Sequence, residues 1–204
     1  MQRWRANRQG DGVEITTAPP DAALWQAAAG GDVEAFAVLY DRHAARVARF
    51  AGRRVGVQDA EDLTAQTFLE TWRGRDRVRL GPQDSLLPWL FGVCLNLART
   101  QARGARRQRS LLGRLVHVGG ASVEPDPADG VVDRDETRLQ VARARRALHS
   151  LSPADQDVLV TCLLEDLTPA QAAIVLDQPA STVRSRLTRA RRRLAIAYTQ
   201  TSER

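Results

Sequence analysis

The segment 180–194, near the carboxyl end of the chain, holds six arginines and no acidic residue. Val183, Leu187 and Leu194 recur in it at helical spacing, which predicts an amphipathic helix with these side chains facing inward. The predicted outer face consists of Arg184, Ser185, Arg186, Thr188, Arg189, Arg191, Arg192 and Arg193. Guanidinium groups bind phosphates and the edge of guanine through paired hydrogen bonds. The pattern therefore favours a helix that binds DNA, and a solvated basic helix of an ordinary bundle is the alternative.

A shorter helix is predicted immediately before the basic one. Thr168 can cap it, Pro169 suits its first position, and Gln171 can complete a capping box. The helix is expected to end at Asp177, because aspartate tolerates left-handed backbone and Pro179 disfavours helical geometry in the residue before it. Two short helices joined by a tight turn are typical of a helix-turn-helix. The second helix, about 22 Å long, would fit the major groove.

The segment 87–108 predicts a helix that changes character along its length. Its first half is apolar, whereas the charges of its second half are all basic: Arg99, Arg103, Arg106 and Arg107. Such a helix can leave a hydrophobic core and continue along a phosphate backbone. Trp89, in the apolar half, could stack on an unpaired base, and packing in the core is the alternative.

The segment 59–72 predicts a further amphipathic helix with two adjacent stripes. The stripe expected to be buried, at i, i+3, i+4 and i+7, comprises Ala65, Phe68, Leu69 and Trp72. The neighbouring polar stripe comprises Asp59, Asp62, Gln66 and Glu70. Acids near a helix N-terminus stabilise the helix dipole, and a protein-docking face is the alternative interpretation.

The remaining segments complete the expected order of elements. Residues 1–20 have the composition of a flexible leader. Asp21 is expected to cap a first helix and Asp32 a longer second one, on which Arg42, Arg46 and Arg49 would face solvent. Residues 109–137 combine glycine and proline with six acids, which is typical of a flexible acidic linker. Helical pattern then returns, with Ser152 as another cap.

Composition limits the class of protein. Few aromatic residues and the absence of glycine-bounded β-branched runs favour an all-α fold. All 30 basic residues are arginine. Residues 1–107 hold 16 arginines against 12 acids, residues 108–137 hold 3 against 6, and residues 138–204 hold 11 against 6. Two basic blocks thus flank an acidic middle.

Neither enzymatic nor metal chemistry is indicated. Cys94 and Cys162 each lie in an apolar run, which predicts reduced core thiols. His43, His117 and His149 are scattered, without the paired carboxylates or nucleophile constellation that an enzyme needs. No cofactor or metal is expected. The chain shows neither a membrane-spanning segment nor a signal peptide, so a cytoplasmic location is predicted.

Four segments in order resemble the extracytoplasmic-function (ECF) sigma factors, the compact two-domain specificity subunits of bacterial RNA polymerase within the sigma-70 superfamily. They are AFAVLYDRHAARVARFAGRRVG, DAEDLTAQTFLETWR, LPWLFGVCLNLARTQARGARR and ALHSLSPADQDVLVTCLLEDLTPAQAAIVLDQPASTVRSRLTRARRRL. The resemblance implies two small helical domains joined by the flexible acidic linker 109–137. The first, over 21–108, would be the region 2 bundle, and the second, over 138–197, the region 4 domain with its helix-turn-helix.

The resemblance also implies partners and residue roles. Core RNA polymerase would bind the stripe of Asp59, Asp62, Gln66 and Glu70. The minus-ten promoter element would meet the loop 75–85 and a helix carrying Trp89, Asn96, Arg99, Arg103, Arg106 and Arg107. The minus-thirty-five element would meet Arg184, Ser185, Thr188 and Arg189, with Arg186, Arg191 and Arg192 as phosphate contacts. An anti-sigma factor is a further expected partner.

The chain departs from the family pattern in places, and a rival function exists. Asp177 stands where glycine is usual and Gln178 where an apolar residue is usual, so a looser turn is expected. Ala65 replaces a common polar residue of the docking helix. The alternative is a helix-turn-helix regulator that is not a polymerase subunit, although such a regulator needs neither the acidic nor the second basic helix. The linker is either a tether or a segment that occupies a basic channel of the polymerase.

Overall fold

The structure is a computed structural model that describes residues 19–80, 84–115 and 134–202. These residues form eight α-helices and no strand, which confirms the all-α prediction. The helices are α1 (Asp21–Ala29), α2 (Val33–Val55), α3 (Val57–Arg73), α4 (Leu87–Leu115), α5 (Arg134–His149), α6 (Pro153–Leu159), α7 (Pro169–Leu176) and α8 (Ala180–Ser202). The predicted leader up to residue 18 and the linker between 116 and 133 lie outside the described residues.

Helices α1 to α4 form the N-terminal domain around a core of aromatic and aliphatic side chains. Phe50 of α2 stacks on Phe91 of α4 with 4.5 Å between ring centroids. Leu39, Leu63 and Leu90, from three different helices, are fully buried. Burial of one such side chain stabilises the fold by about 1.5–3 kcal/mol, so this packing fixes α3 and α4 against α2.

The junction between α2 and α3 depends on a glycine. Gly56 adopts a φ of 88°, in the left-handed region that side chains other than glycine rarely enter. Its N–H donates to the Gly52 carbonyl at 3.0 Å and closes the end of α2. Because the chain reverses at this one residue, α3 packs directly against α2.

The predicted buried stripe of α3 is partly wrong. Phe68 is buried and Trp72 half-buried, but Ala65 is exposed and Leu69 is 45% exposed. Three threonines take the inner positions instead: Thr64, Thr67 and Thr71. Each hydroxyl donates to the carbonyl four residues earlier, at 2.7–2.8 Å. Because each hydroxyl bonds to a carbonyl of its own helix, a threonine can be buried at little cost in free energy. A prediction based on hydrophobicity alone therefore assigned the wrong residues to the buried face of α3.

The predicted cap at Asp21 is also wrong. Pro20 occupies the N-cap of α1 and makes no side-chain cap bond. The Asp21 carboxylate instead bonds to Arg42 at 2.6 Å, to His43 Nε2 at 2.8 Å and to the Leu86 N–H at 2.9 Å. The cap at Asp32 is confirmed, since its Oδ1 accepts from the Ala35 N–H at 3.0 Å. Asp21 thus joins α1, α2 and the segment before α4, a tertiary role without a sequence signal.

Helices α5 to α8 form the C-terminal domain. Ser152 caps α6 as predicted, and α6 continues into a π-helical turn over Val160–Leu164. Ala147, Val158, Ala172 and Val183 supply buried contacts from four helices. The helical boundaries differ from the expected linker limits, because α4 continues to Leu115 and α5 already begins at Arg134.

Candidate nucleic-acid interface

The helix-turn-helix forms as its sequence predicts. The Thr168 N–H donates to Gln171 Oε1 at 2.9 Å, and the Gln171 N–H donates to Thr168 Oγ1 at 3.3 Å, which completes the capping box at the start of α7. Asp177 ends that helix with a φ of 51° and a ψ of 52°. A left-handed residue at this position suits the end of a helix, and aspartate adopts this conformation more readily than most residues other than glycine. The structure therefore confirms that the helix ends at Asp177, whereas the looser turn stays a prediction.

Helix α8 presents a basic outer face. Val183, Leu187 and Ala190 are buried against the domain. The exposed side chains of the predicted outer face are those of Arg184, Ser185, Thr188, Arg189, Arg191, Arg192 and Arg193. Among the described residues, Arg193 is the only α8 arginine in an ion pair, with Asp155 at 2.6 Å. Six arginines without an acid on one helix make a surface that attracts phosphates.

Arg186 differs from its neighbours on α8. It is half-buried, and its Nε is buried without a hydrogen-bond partner among the described residues. The Gln178 Oε1 in the preceding turn is likewise buried and has no partner there. The described residues therefore supply no hydrogen bond to the buried acceptor of Gln178.

A second basic row follows one face of α4. Asn96, Arg99, Arg103 and Arg107 are exposed and lie at i, i+3, i+7 and i+11. The side chain of Arg106 is outside the described residues. Arg103 donates to Thr100 Oγ1 at 3.1 Å, whereas Arg99 donates to Asp157 of the C-terminal domain at 2.6 Å. The two arginines nearest the core are thus held by protein groups, Arg99 by a carboxylate.

Trp89 lies on the same face of α4, nearer its start. The side chain is half-buried and packs against the core, and its indole N–H is buried without a partner among the described residues. Most of the Trp89 side chain is therefore covered by the core. The part that remains exposed continues the row of Asn96 and Arg99, so the helix offers an aromatic surface and cations along one line.

The loop before α4 begins with a short 3-10 turn at Arg75–Arg77. The Arg75 guanidinium lies over the Trp72 ring, 5.1 Å from its centroid, and donates to the Trp72 carbonyl at 3.2 Å. Such stacking holds the first part of the loop against the end of α3. The other predicted loop residues include 81–83, which are outside the described ranges.

The predicted docking stripe of α3 is a continuous exposed surface. All four of its side chains, those of Asp59, Asp62, Gln66 and Glu70, are exposed. Glu70 pairs with Arg73 at 3.1 Å, and Gln66 Oε1 accepts from Gln101 of α4 at 3.3 Å. Leu69, which the sequence placed inside, lies exposed beside this stripe and adds an apolar contact to it.

Several side chains that bond across long sequence separations could not be identified from the sequence. Asp157 and Glu165 are buried acids of the C-terminal domain that accept arginines from the N-terminal domain. Arg42 and Arg46, expected in solvent, are half-buried and bonded to Asp21 and to the Glu165 carbonyl. Their partners lie 21 and 119 residues away, a separation that helical periodicity cannot reveal.

The described residues show no other kind of site. They contain no group of three or more side chains that could hold a metal ion, and no helix among them is both long and apolar enough to cross a bilayer. Cys94 and Cys162 are buried and free, as predicted for core thiols. Burial raises the pKa of the Cys94 thiol to about 11 and also raises the pKa of Cys162, so neither is a reactive thiolate at neutral pH.

Two family models match the parts of the chain that contain α4 and α8. The family model "Sigma-70 region 2" matches residues 39–108, and "Sigma-70, region 4" matches residues 142–194. The chain is 31% identical to the RNA polymerase sigma factor NccH of Alcaligenes xylosoxydans xylosoxydans, over 93% of this chain and 100% of that relative. It is 29% identical to the ECF RNA polymerase sigma-E factor of Escherichia coli (strain K12), over 84% of this chain and 90% of the relative.

Two solved structures are similar as well. CnrH in complex with the cytosolic domain of CnrY has a TM-score of 0.60 at 25% identity and covers 86% of this chain and 95% of its own. The sigma factor RpoE in complex with the anti-sigma factor NepR, from Bartonella quintana, has a TM-score of 0.57 at 25% identity, with 78% and 94% of the chains covered.

Proposed function

Because the chain belongs to the extracytoplasmic-function RNA polymerase sigma factors of the sigma-70 superfamily, we propose that three of its surfaces divide the work of promoter-specific initiation. Such a factor binds core RNA polymerase and directs it to promoters through their minus-ten and minus-thirty-five elements. It supplies recognition and no bond chemistry, and this chain is not an enzyme. The rival reading as a plain regulator is disfavoured, since a region 2 match accompanies the helix-turn-helix.

The first surface is the α3 stripe, which binds core polymerase. Its exposed Asp59, Asp62 and Glu70 place three carboxylates on one helical face, with Gln66 between them. Charged groups of one sign favour a partner surface of the opposite sign and steer the encounter. The exposed Leu69 provides the apolar contact that such an interface needs near its centre.

The second surface is the outer face of α8, which reads the minus-thirty-five element in the major groove. Arg184, Ser185, Thr188 and Arg189 lie in the first half of α8, the half that follows the turn and enters a groove first. Arg192 lies further along, where a helix meets the phosphate backbone, and Arg186 and Arg191 lie on its flanks. Base reading and anchoring thus fall on successive turns of one helix.

The third surface is the α4 face, which captures the minus-ten element. Trp89 offers an aromatic edge for a base, while Asn96, Arg99, Arg103 and Arg107 continue toward the phosphates, with Arg106 on the same segment. An opened promoter strand exposes both unstacked bases and phosphates, and this face offers a contact for each. We place the region 2 domain at 21–108, the region 4 domain at 138–197 and the leader over 1–20. The linker over 109–137 then includes the end of α4 and the start of α5.

An anti-sigma factor is the regulatory partner that we propose. The support is that the similar sigma factors CnrH and RpoE were solved with CnrY and with the anti-sigma factor NepR. A cytoplasmic location follows from the proposed work, because core polymerase and the promoter are both found there.

The observation that carries the proposal is an arginine-faced α8 in the same chain as the exposed acidic stripe of α3. The test combines the purified chain with core polymerase and promoter DNA and maps the starts of the transcripts. Transcription from defined starts that requires the chain is expected. Sequence-specific DNA binding without polymerase association would instead identify the regulator.

The docking surface has a separate test. The double variant Asp62→Arg with Glu70→Arg should weaken core binding by more than about tenfold, because like charges across an interface cost several kcal/mol. Circular dichroism should show unchanged helicity. Glu34→Arg with Asp41→Arg, two exposed acids of α2, is the matched control and should bind normally. Normal core affinity of the folded α3 variant would remove the docking assignment.

A further inference from the structure

Helix α4 begins without a capping side chain of its own. Leu86 occupies the N-cap, because the helix begins at Leu87 and the Leu86 carbonyl accepts from the Leu90 N–H at 3.1 Å. A leucine side chain has no oxygen that could accept from the free N–H groups of the first turn. Pro88, the second residue of the helix, has no N–H at all. The start of α4 therefore depends on acceptors from other parts of the chain.

Asp21, 65 residues before Leu86, supplies the missing acceptor. Its Oδ2 accepts from the Leu86 N–H at 2.9 Å in a buried contact. Ser85 extends this cap, since its Oγ accepts from the Leu87 N–H at 3.3 Å and lies 3.4 Å from the same carboxylate oxygen. A negative charge at a helix N-terminus also stabilises the helix dipole. Asp21 thus caps α4 from outside that helix.

The external cap leaves the third position of α4 to an aromatic side chain. In a capping box, a glutamate or glutamine at that position bonds to the N–H of the N-cap residue. Trp89 occupies the position here, and Asp21 makes the bond instead. Trp89 is half-buried, and its exposed part belongs to the α4 face that we propose for the minus-ten element. The turn that presents Trp89 is therefore held by a carboxylate of another helix.

Helix α2 fixes the Asp21 carboxylate in turn. Arg42 donates to Asp21 Oδ1 at 2.6 Å, and His43 Nε2 lies 2.8 Å from Oδ2. Arg42 also donates to the Pro19 carbonyl at 2.7 Å, which holds the chain just before α1. Asp21 and His43 are both buried. A buried carboxylate that is bonded on both oxygens has little freedom to move, so it fixes the start of α4 relative to α2.

We infer that Asp21 is a positioning residue for promoter reading, which sets the first turn of α4 so that Trp89 meets an unpaired base of the minus-ten element. The inference rests on the proposed function, because it takes the α4 face as the surface for that element. A binding surface needs supporting hydrogen bonds that hold its side chains in place. Asp21 is buried and acts on the base only through the first turn of α4.

Hydrogen exchange of the free chain tests the cap without DNA. Asp21→Asn and Ser85→Ala should each accelerate exchange of the Leu86 and Leu87 amides by roughly fivefold or more relative to the amides of α2, because the cap bonds are weakened. Ser85→Ala leaves the Asp21 ion pairs intact and decides the test if Asp21→Asn does not fold. Asp32→Ala is the matched control, since it removes a cap bond of α2 in the same domain. Equal acceleration at the start of α4 in this control would overturn the inference.

Binding of the polymerase holoenzyme to a forked promoter tests the role in reading. The probe is a duplex minus-thirty-five element followed by a single-stranded minus-ten segment, in which an abasic site replaces each base in turn. Loss of the base that stacks on Trp89 should weaken wild-type binding by about fivefold or more. Trp89→Leu, which keeps an apolar side chain against the core, identifies this base, because its loss then costs little further affinity.

The same abasic probe should cost Asp21→Asn and Ser85→Ala clearly less affinity than the wild type, and it should cost Asp32→Ala as much. Changes in the minus-thirty-five element should cost all of these proteins the same, because the bonds of Asp21 are to α2 and to the start of α4. A wild type that binds every abasic probe equally well would remove the proposed minus-ten surface, and the inference with it. If the wild type loses affinity at one base and both cap variants lose as much, the inference alone is overturned.

Discussion

The arginines of the two DNA-facing helices differ in what holds them. On α8, Arg184, Arg189 and Arg192 are exposed, and within the described residues only Arg193 is ion-paired. On α4, Arg99 is held by a carboxylate of the other domain. Both rows are rich in arginine, yet the α8 row is available to a ligand, whereas Arg99 of the α4 row also contributes to the contact between the two domains. Arginine content alone does not distinguish a binding surface from an internal ion pair.

The largest expected effect tests whether arginines paired with buried acids are structural. Asp21→Asn removes the buried charge that bonds to Arg42, to His43 and to the Leu86 N–H, and it should lower the free energy of unfolding by about 3 kcal/mol, because hydrogen bonds to a charged group are the strong ones. Urea unfolding at neutral pH measures the loss. Asp41→Asn, at an exposed acid of the same domain, should change it by less than about 0.5 kcal/mol. Equal effects of the two substitutions would contradict the comparison.

The same carboxylate predicts a pH dependence. Burial by itself raises the pKa of Asp21, but hydrogen bonds from His43, the Leu86 N–H and Arg42 outweigh burial and hold the pKa well below its ordinary range. A carboxyl with a lowered folded-state pKa stabilises fully above its unfolded pKa of about 4, and the stabilisation is lost as the pH falls through the folded value. The wild type should therefore lose stability below about pH 4 more steeply than Asp21→Asn. Parallel curves would exclude this role.

A smaller effect, on the choice of DNA sequence, is expected for the exposed arginines of α8. An arginine that binds guanine contributes roughly 1–3 kcal/mol of discrimination against other bases. Arg184→Ala and Arg189→Ala should each relax preference at particular upstream positions by that amount. Binding to a library of minus-thirty-five sequences measures the change position by position.

Arg192 lies further along α8 and tests whether phosphate anchoring can be distinguished from base reading. If it anchors a phosphate, Arg192→Ala should weaken all sequences alike and reduce the slope of log affinity against log salt by about 0.9. A salt titration of the wild type and the variant measures this slope. If Arg192→Ala instead lost affinity only for particular DNA sequences, as expected for Arg184→Ala, the distinction between base reading and phosphate anchoring would be wrong.

The smallest effect concerns the turn that aims α8. Asp177 is left-handed, a conformation that costs an ordinary side chain roughly 1–2 kcal/mol. Asp177→Ala should destabilise the chain by about 1 kcal/mol, whereas Asp177→Gly should change stability by less than about 0.5 kcal/mol, because the relieved strain is offset by a more flexible unfolded chain. Thermal unfolding of the three proteins compares them, and equal stability of Ala and Gly variants would contradict the left-handed assignment.

The sequence predicts those features that depend on residues close together in the chain. Caps at Asp32, Ser152 and Thr168 depend on residues within one turn, and all three form as predicted. The outer face of α8 follows from periodicity for the same reason. Asp21, which pairs across more than 20 residues, was instead assigned the local role of a cap. The sequence did not predict burial of the α3 threonines, because threonine is polar and its hydroxyl becomes easy to bury only when it bonds to its own helix.

The sequence separation of these ion pairs has a consequence for synthesis of the chain on the ribosome. Asp21 meets Arg42 and His43 early, but its bond to Leu86 spans 65 residues. The pairs of Asp157 and Glu165 with α2 span 103 and 112 residues. Contacts between distant residues form only after both have left the exit tunnel, and domains emerging first fold first. In the nascent N-terminal domain, Arg53, Arg54 and Arg99 therefore stay accessible to nucleic acid until α6 and the segment before α7 emerge with Asp157 and Glu165.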